Sequence, residues 1–368
     1  MAISFVIGAK LYAVYYFKVL YLRHLWGAYA PWESKRQTSR ICNMIKLFKR
    51  YYFTEVLYLV RRINLIAFLY MVCFQAACAQ LNPGASADSL ARQSQLSNRK
   101  FIQLYKENAA LSYTSPKGEI GAPSKYLING KLTTTYMLLA SSKMPVSFAV
   151  VPDFTVRVRD ERSSGVRTPS FRLGGVLFVR LNQSPEHYKY ASLAFTHHSN
   201  GQDNAAINPD GTINTRDGNF ATNYLTASYH FGHRHPAKSG VYYTLNHDAG
   251  LEWHKWFSYE KALEGNYGFT RIIYNFSLRR YEEEKENWRL NMGLNYAVNS
   301  IYADDFSAIK KRMNIESSFN YSFPFMNNVF ISVAAGYYGE DPYNIYFNDK
   351  YGYLRFGISS GFLRNKRQ

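Results

Sequence analysis

The chain has 368 residues, a formal net charge of +18 and 47% hydrophobic residues, with aromatics at 17% and charged residues at only 19%. That balance excludes a disordered chain and a coiled coil, and three Cys are too few for a disulfide-built scaffold. A helical membrane bundle is excluded as well, because the several apolar runs of about 20 residues it needs are missing. The net charge invites a nucleic-acid reading, but its distribution argues against one. Residues 1–79 hold 11 Lys+Arg against 2 Asp+Glu, so half of the excess lies there, together with Cys42, Cys73 and Cys78.

Residues 1–79 read as a targeting segment. Arg61-Arg62 precede an apolar stretch from Leu65 to Ala77, and Ala77-Cys78-Ala79 fits a small-x-small cleavage site, so 61–79 reads as a secretory signal peptide. Cys78 as a lipid-attachment residue is the competing reading. Met44 offers an alternative start, which makes residues 1–43 an over-extension; a genuine amphipathic or membrane-inserted segment is the other reading. Cleavage leaves a mature chain without cysteine. Residues 80–100, rich in Ser, Gln and Asn, read as a flexible lead-in.

From about residue 130 the hydrophobic period is two. Candidate strands run over 131–142, 146–159, 171–183, 189–199, 221–232, 239–252, 266–281, 286–300, 309–323, 328–341 and 350–363. They are long for a globular sheet and suit an all-β fold, a transmembrane antiparallel β-barrel over 101–368. Such barrels favour an even strand number, which points to about 12 strands and places a twelfth in 101–113. Phe323-Pro324-Phe325-Met326-Asn327-Asn328 reads as a tight reversal and Glu282-Glu283-Glu284-Lys285-Glu286-Asn287 as a charged loop. Tyr242-Tyr243, Trp253, Trp256, Phe257, Tyr337-Tyr338, Tyr343 and Tyr346 read as interfacial aromatic girdles. The basic loops then face lipopolysaccharide or water, with no nucleic acid as partner.

Two strands break the alternation. Over 189–199 the odd face is Ala191, Leu193, Phe195, and then His197 and Ser199; over 221–231 it is Ala221, Asn223, Leu225, Ala227, Tyr229, Phe231. The apolar face should meet lipid, so His197, Ser199 and Asn223 are polar intruders near one barrel end. Unpaired polar groups facing hydrocarbon are costly and mark functional candidates. Antiparallel neighbours joined by the 200–220 loop put Asn223 beside His197. A histidine activates a serine by taking its proton, and an amide on the other ring nitrogen fixes the tautomer. Gly201 permits close backbone approach for an oxyanion site. A triad on the barrel exterior meets lipid esters directly.

His197-His198-Ser199-Asn200-Gly201, followed by Asn223-Tyr224-Leu225, resembles the bacterial outer-membrane phospholipase A family, which carries His-x-Ser-Asn-Gly at a strand end and an Asn opening the next strand. Gly336-Tyr337-Tyr338-Gly339-Glu340 with Tyr343-Asn344, and Ser163-Ser164-Gly165-Val166-Arg167, are similar to two further segments of that family. The resemblance implies an outer-membrane hydrolase of glycerophospholipid acyl esters. It makes His197 the general base, Ser199 the nucleophile and Asn223 the orienting residue, with Asn219 as fallback for the third role. It further implies calcium at a homodimer interface, with Ser164 and the backbone carbonyl of Gln202 as ligands. Competing readings are a lipid A deacylase-type barrel esterase and a non-enzymatic pore or structural barrel. His230, His233 and His235 crowd another strand end, where a solvated loop is favoured over a metal site. No P-loop, dinucleotide fingerprint or internal repeat is present.

Overall fold

The computed structural model describes residues 87–160, 169–184, 186–236, 240–282, 285–299, 301, 312–326, 329–342 and 347–361, all within the compact unit Cys73–Gln368. The targeting segment, its signal peptide and Met44 lie outside the described residues, as do Ser164, Tyr343 and Asn344.

The first described element is a helix, α1 (Ala87–Glu107). From residue 87 onward this corrects the flexible lead-in, and it corrects the strand expected in 101–113. Asp88 in the first turn and Lys106 in the last complement the helix dipole. Its inward stripe recurs at helical spacing as Ser97, Asn98 and Phe101, which are buried, and then Leu104 and Tyr105. The upper half of that stripe is polar, so no apolar period announced it. Its partners are hydrogen bonds: Asn98 donates to the Ser142 carbonyl (2.9 Å) and accepts from Arg180 Nε (2.8 Å), and the Ser97 hydroxyl donates to the Gln183 carbonyl (3.0 Å). Lower down, Tyr105 stacks on Phe178 at 3.9 Å and Phe101 packs edge-on to Tyr190 at 5.0 Å. No helix among the described residues is long and apolar enough to cross a membrane.

Thirteen strand segments follow: β1 (Ser112–Pro116), β2 (Tyr126–Thr133), β3 (Tyr136–Ala140), β4 (Val146–Arg159), β5 (Ser170–Arg180), β6 (His187–Ser199), β7 (Ala221–Pro236), β8 (Val241–Trp253), β9 (Thr270–Glu282), β10 (Lys285–Ala297), β11 (Met313–Tyr321), β12 (Val329–Tyr338) and β13 (Tyr351–Ser360). Each pairs antiparallel with its neighbours, β1 pairs with β13, and β2 and β3 lie end to end along β4. Thirteen segments therefore make twelve staves of a closed antiparallel barrel. Closure pairs most of the ladder edges that an open sheet would expose.

The exterior is apolar and the lumen polar. Leu173 (54% exposed), Phe195 (45%), Leu251, Ile272, Phe319 and Phe356 point outward, while Arg157, Arg279, Arg289 and Arg355 are buried inside. That inversion of the globular pattern is the arrangement of a bilayer-spanning barrel, and single-chain barrels of this kind are those of the bacterial outer membrane. The aromatics divide between both faces, which corrects the pure girdle reading. Trp256 is exposed, but Tyr242 and Tyr281 stack inside the lumen at 4.7 Å, with the Arg234 guanidinium 3.5 Å over the Tyr242 ring. The charged run 282–287 is in part strand: Glu282 ends β9 and Lys285 opens β10 as its cross-strand partner, the Arg289 guanidinium takes up Glu286 at 2.6 Å, and Glu283 and Glu284 lie outside the described residues.

Short turns gather at one end of the barrel, where α1 lies, and long loops at the other. At the long-loop end Ala206, Phe220, Leu263, Tyr267, Phe269 and Phe347 form a small apolar core drawn from three loops. The candidate site lies at this end.

Candidate functional site

β6 and β7 are in register from His187↔His233 to Ser199↔Ala221, which sets His197 directly opposite Asn223. Both lie on the face that carries Phe195 and Leu225, so the polar intruders read from the sequence are together on the barrel exterior. His197 Nδ1 and Asn223 Oδ1 are 2.9 Å apart. The Asn223 Nδ2–H group donates to the Ser258 carbonyl at 2.8 Å, so the amide oxygen is the end that faces the imidazole. His197 therefore turns an Nδ1–H to the amide oxygen, which leaves Nε2 as the nitrogen placed for the general-base role. His197 is solvent- or lipid-exposed, and Asn223 and Ser199 are half-buried.

Ser199 is two residues beyond His197 on the same face, with Phe171 as its partner on β5. Its hydroxyl has no hydrogen-bond partner among the described residues, so the serine–histidine contact expected from the sequence is open. Side chains two apart on a strand are rooted about 6.6 Å from each other, and a rotamer change is needed to close that gap. Catalytic hydrogen bonds are commonly long before substrate binds.

Beyond Ser199 the chain turns sharply. Asn200 is buried and ties both ends of the 200–220 loop: its amide donates to the Gly218 carbonyl (2.8 Å) and its Oδ1 accepts the Phe220 N–H (3.0 Å). Gly201 then takes φ +62°, and a Cβ there would sit 2.9 Å from the Phe171 ring. The Gly201 and Gln202 N–H groups take no backbone partner among the described residues, which leaves them available to a developing oxyanion. Gly201→Ala is expected to lower stability by about 1–2 kcal/mol, the cost of a left-handed backbone for an L-residue. Urea unfolding in micelles, followed by tryptophan fluorescence, measures it; an unchanged midpoint would contradict the constraint.

The third strand of the site is a loop. β8 pairs with β7 only as far as Leu225↔Trp253. Further along, residues 258–260 take the vacant edge: Asn223 N–H donates to the Ser258 carbonyl (3.2 Å), Glu260 N–H donates to the Ala221 carbonyl (2.8 Å), and Thr222 bridges Tyr259. On the lumen side, His254 is buried between Thr222 Oγ1 (2.8 Å) and Glu252 Oε1 (2.8 Å), and the Arg271 guanidinium joins Glu252 to Glu340. Glu340, picked out in the sequence, thus braces the site from inside and also accepts the Gly268 N–H at 2.7 Å. In the loops, the Glu264 carboxylate accepting the Tyr259 hydroxyl pushes that phenol up. The Thr212 hydroxyl and N–H hold the Asp210 carboxyl below its ordinary value.

Asn219 is exposed and bonds through its backbone N–H to the Asn204 carbonyl, so Asn223 rather than Asn219 meets His197. Gln202 follows the turn, while Ser164 lies outside the described residues. Among the described residues, no group of three or more His, Cys, Asp or Glu side chains is placed to hold a metal ion. The histidines read as a solvated loop are instead part of β7. His230 points into the lumen, stacked on Tyr190 at 4.2 Å and bonded to the Ser192 hydroxyl, and His233 packs against His235. The Ser258 carbonyl escaped sequence reasoning, because a backbone acceptor 35 residues from its donor leaves no residue-type signal, and Phe257 was read only as a girdle aromatic.

No protein-family model matches the sequence, and no curated protein does either. Among solved structures, an active-site mutant of the outer membrane phospholipase A from Escherichia coli is similar at 10% identity, over 74% of this chain and 99% of that one, with a TM-score of 0.46. The outer membrane phospholipase dimer of Salmonella typhi with bound calcium is similar at 10% identity, over 68% and 89%, with a TM-score of 0.42. The translocator domain of an autotransporter from Neisseria meningitidis is similar at 12% identity, over 75% and 98%, with a TM-score of 0.31. Likeness of this kind is one of barrel to barrel, and the chemistry rests on the residues themselves.

Proposed function

We propose that the chain is an outer-membrane esterase that hydrolyses the acyl esters of glycerophospholipids, with Ser199 as nucleophile, His197 as general base and Asn223 as orienting residue. The observation that carries this reading is the His197 Nδ1–Asn223 Oδ1 hydrogen bond of 2.9 Å on the lipid-facing side of the barrel. This polar pair stands on a face whose neighbours Leu173, Phe195 and Leu225 are apolar, where a functional role is the reading that best accounts for it. In the reaction, His197 Nε2 takes the Ser199 proton as the serine oxygen attacks the ester carbonyl carbon. The negative oxygen that develops lies toward the Gly201 and Gln202 N–H groups. Collapse expels the glycerol oxygen, which takes the proton from His197, and water then releases the acyl group by the same route. Asn223 holds the imidazole in place and stabilises its cationic form throughout.

Calcium assistance and a homodimer belong to this reading through the resemblance carried by Ser164 and Gln202. A calcium ion takes six to eight oxygen ligands, so the Gln202 carbonyl would supply one and water many of the others. Every step above is carried by the chain's own residues.

A lipid A deacylase uses related chemistry, but it employs a carboxylate where this site has the Asn223 amide. A pore needs an open lumen, whereas here α1 bonds at the short-turn end, through Asn98 to the Ser142 carbonyl and through Asn108 to Asn246. The test is fatty-acid release by the purified protein in detergent micelles, from phosphatidylethanolamine and from lipid A, with and without EDTA. Release from the phospholipid is expected. Release from lipid A alone, or from neither, would overturn the assignment, and activity indifferent to EDTA would remove calcium from it.

A further inference from the structure

We infer that Phe257 and Phe195 form a shelf for the scissile acyl chain, and that Phe257 sets the chain length the site favours; this rests on the esterase reading above. The rings of Phe195 and Phe257 meet edge to face, with centroids 5.1 Å apart at 69°. Phe195 is two residues from His197 on the same outward face and remains 45% exposed, with Leu225 opposite it on β7.

Phe257 is held there by its neighbours rather than by its own burial. His254, three residues earlier, is fully buried and hydrogen-bonded on both ring nitrogens. The Phe257 N–H donates to the His254 carbonyl at 2.9 Å, closing a turn. One residue later the Ser258 carbonyl accepts both the backbone and the side-chain N–H of Asn223. The segment that fixes the orienting amide therefore also fixes the ring. A chemical group clamped at both sides and left on the lipid face is built for contact with something apolar.

Direction identifies that something. Ser199 is at the long-loop end of β6, at headgroup level, and the bilayer centre lies back along the strand through His197 to Phe195. An ester whose carbonyl reaches Ser199 and Gly201 sends its acyl chain the same way, and after four residues, about 13 Å of strand, it lies alongside the Phe195–Phe257 pair. The occupant is a saturated or singly unsaturated chain long enough to reach the shelf; a butyryl group is too short.

The test uses the full-length protein in micelles and the kcat/KM ratio for p-nitrophenyl palmitate over p-nitrophenyl butyrate. Phe257→Ala is expected to lower that ratio about tenfold, the scale of a few lost apolar contacts in a substrate pocket, and Phe257→Leu to restore most of it. Phe319→Ala removes an outward-facing ring, 46% exposed, on distant β11 and should leave the ratio at the wild-type value. An unchanged ratio in Phe257→Ala, or an equal fall in Phe319→Ala, overturns the shelf. Ser199→Ala separates the two ideas: if it still cleaves both esters at the wild-type rate, the esterase reading fails; if it is inactive while Phe257→Ala keeps the wild-type ratio, only the shelf fails.

Discussion

Ser199→Ala should lower fatty-acid release from phospholipid by at least about a thousandfold while the barrel stays folded, the scale seen when a serine nucleophile is removed from a triad. The serine oxygen is the atom that forms the acyl bond, and Ser199 shares the outward face of β6 with His197. Among the described residues, two serine–histidine contacts exist, Ser170 with His198 and Ser192 with His230, each at 2.8 Å. Both point into the lumen, and Ser170 and His198 are only 4% and 2% exposed, so a lipid ester has no route to them. The substitution removes one exterior oxygen and no hydrogen bond among the described residues, so the folded barrel's heat-resistant migration in detergent gels should match the wild type. Residual activity within tenfold of wild type would remove Ser199 from the mechanism.

The largest expected loss of stability follows Arg157→Ala, at about 3–5 kcal/mol, the range for breaking a buried ion pair from one side. Arg157 is 1% exposed and meets Asp341 at 2.7 Å and Glu119 at 3.0 Å, both equally buried. The Tyr351 hydroxyl lies within hydrogen-bond distance of both carboxylates and donates its one proton between them, and Arg355 joins Glu119 to Glu316. Removing one of the two guanidiniums leaves the acidic groups under-compensated in the barrel interior. The network also stands where the wall is thinnest. β1 has five residues, and it pairs with β13 through three positions and with β2 through four. Glu119 comes from the β1–β2 loop, Arg157 from β4 and Asp341 from the β12–β13 loop, so the ions cross-link the staves the short ladder holds weakly. Guanidinium unfolding in micelles reads the effect, and a loss below about 1 kcal/mol would show that this part of the lumen is solvated rather than close-packed.

The barrel was legible because its signal is periodic and local. β4 runs over the span the alternation gave, and β6 through β13 lie within a few residues of theirs. The strand read over 131–142 is two, β2 and β3, broken at 134–135, and two further features were hidden for physical reasons. α1 buries Ser97 and Asn98 through hydrogen bonds rather than apolar area, so its composition matches that of a loop. β1 is too short to alternate visibly and gains its place through Glu119 and the closing ladder. At the site, His197, Ser199 and Asn223 were visible as polar residues on an apolar face, because period two fixes which face each occupies. The cross-strand register that pairs His197 with Asn223 needed only the neighbouring strand. The Ser258 carbonyl was invisible, since any residue carries one, and Phe257 was read only as one more interfacial aromatic.

The most direct measurement is covalent. Incubating the purified protein in micelles with a long-chain alkylsulfonyl fluoride, then mapping the adduct by peptide mass spectrometry, reads which oxygen is activated. A single adduct on Ser199, absent in His197→Ala and weakened in Asn223→Ala, is the result expected. An adduct on another residue, or none on Ser199 under conditions that label a serine esterase added as control, would contradict the esterase account.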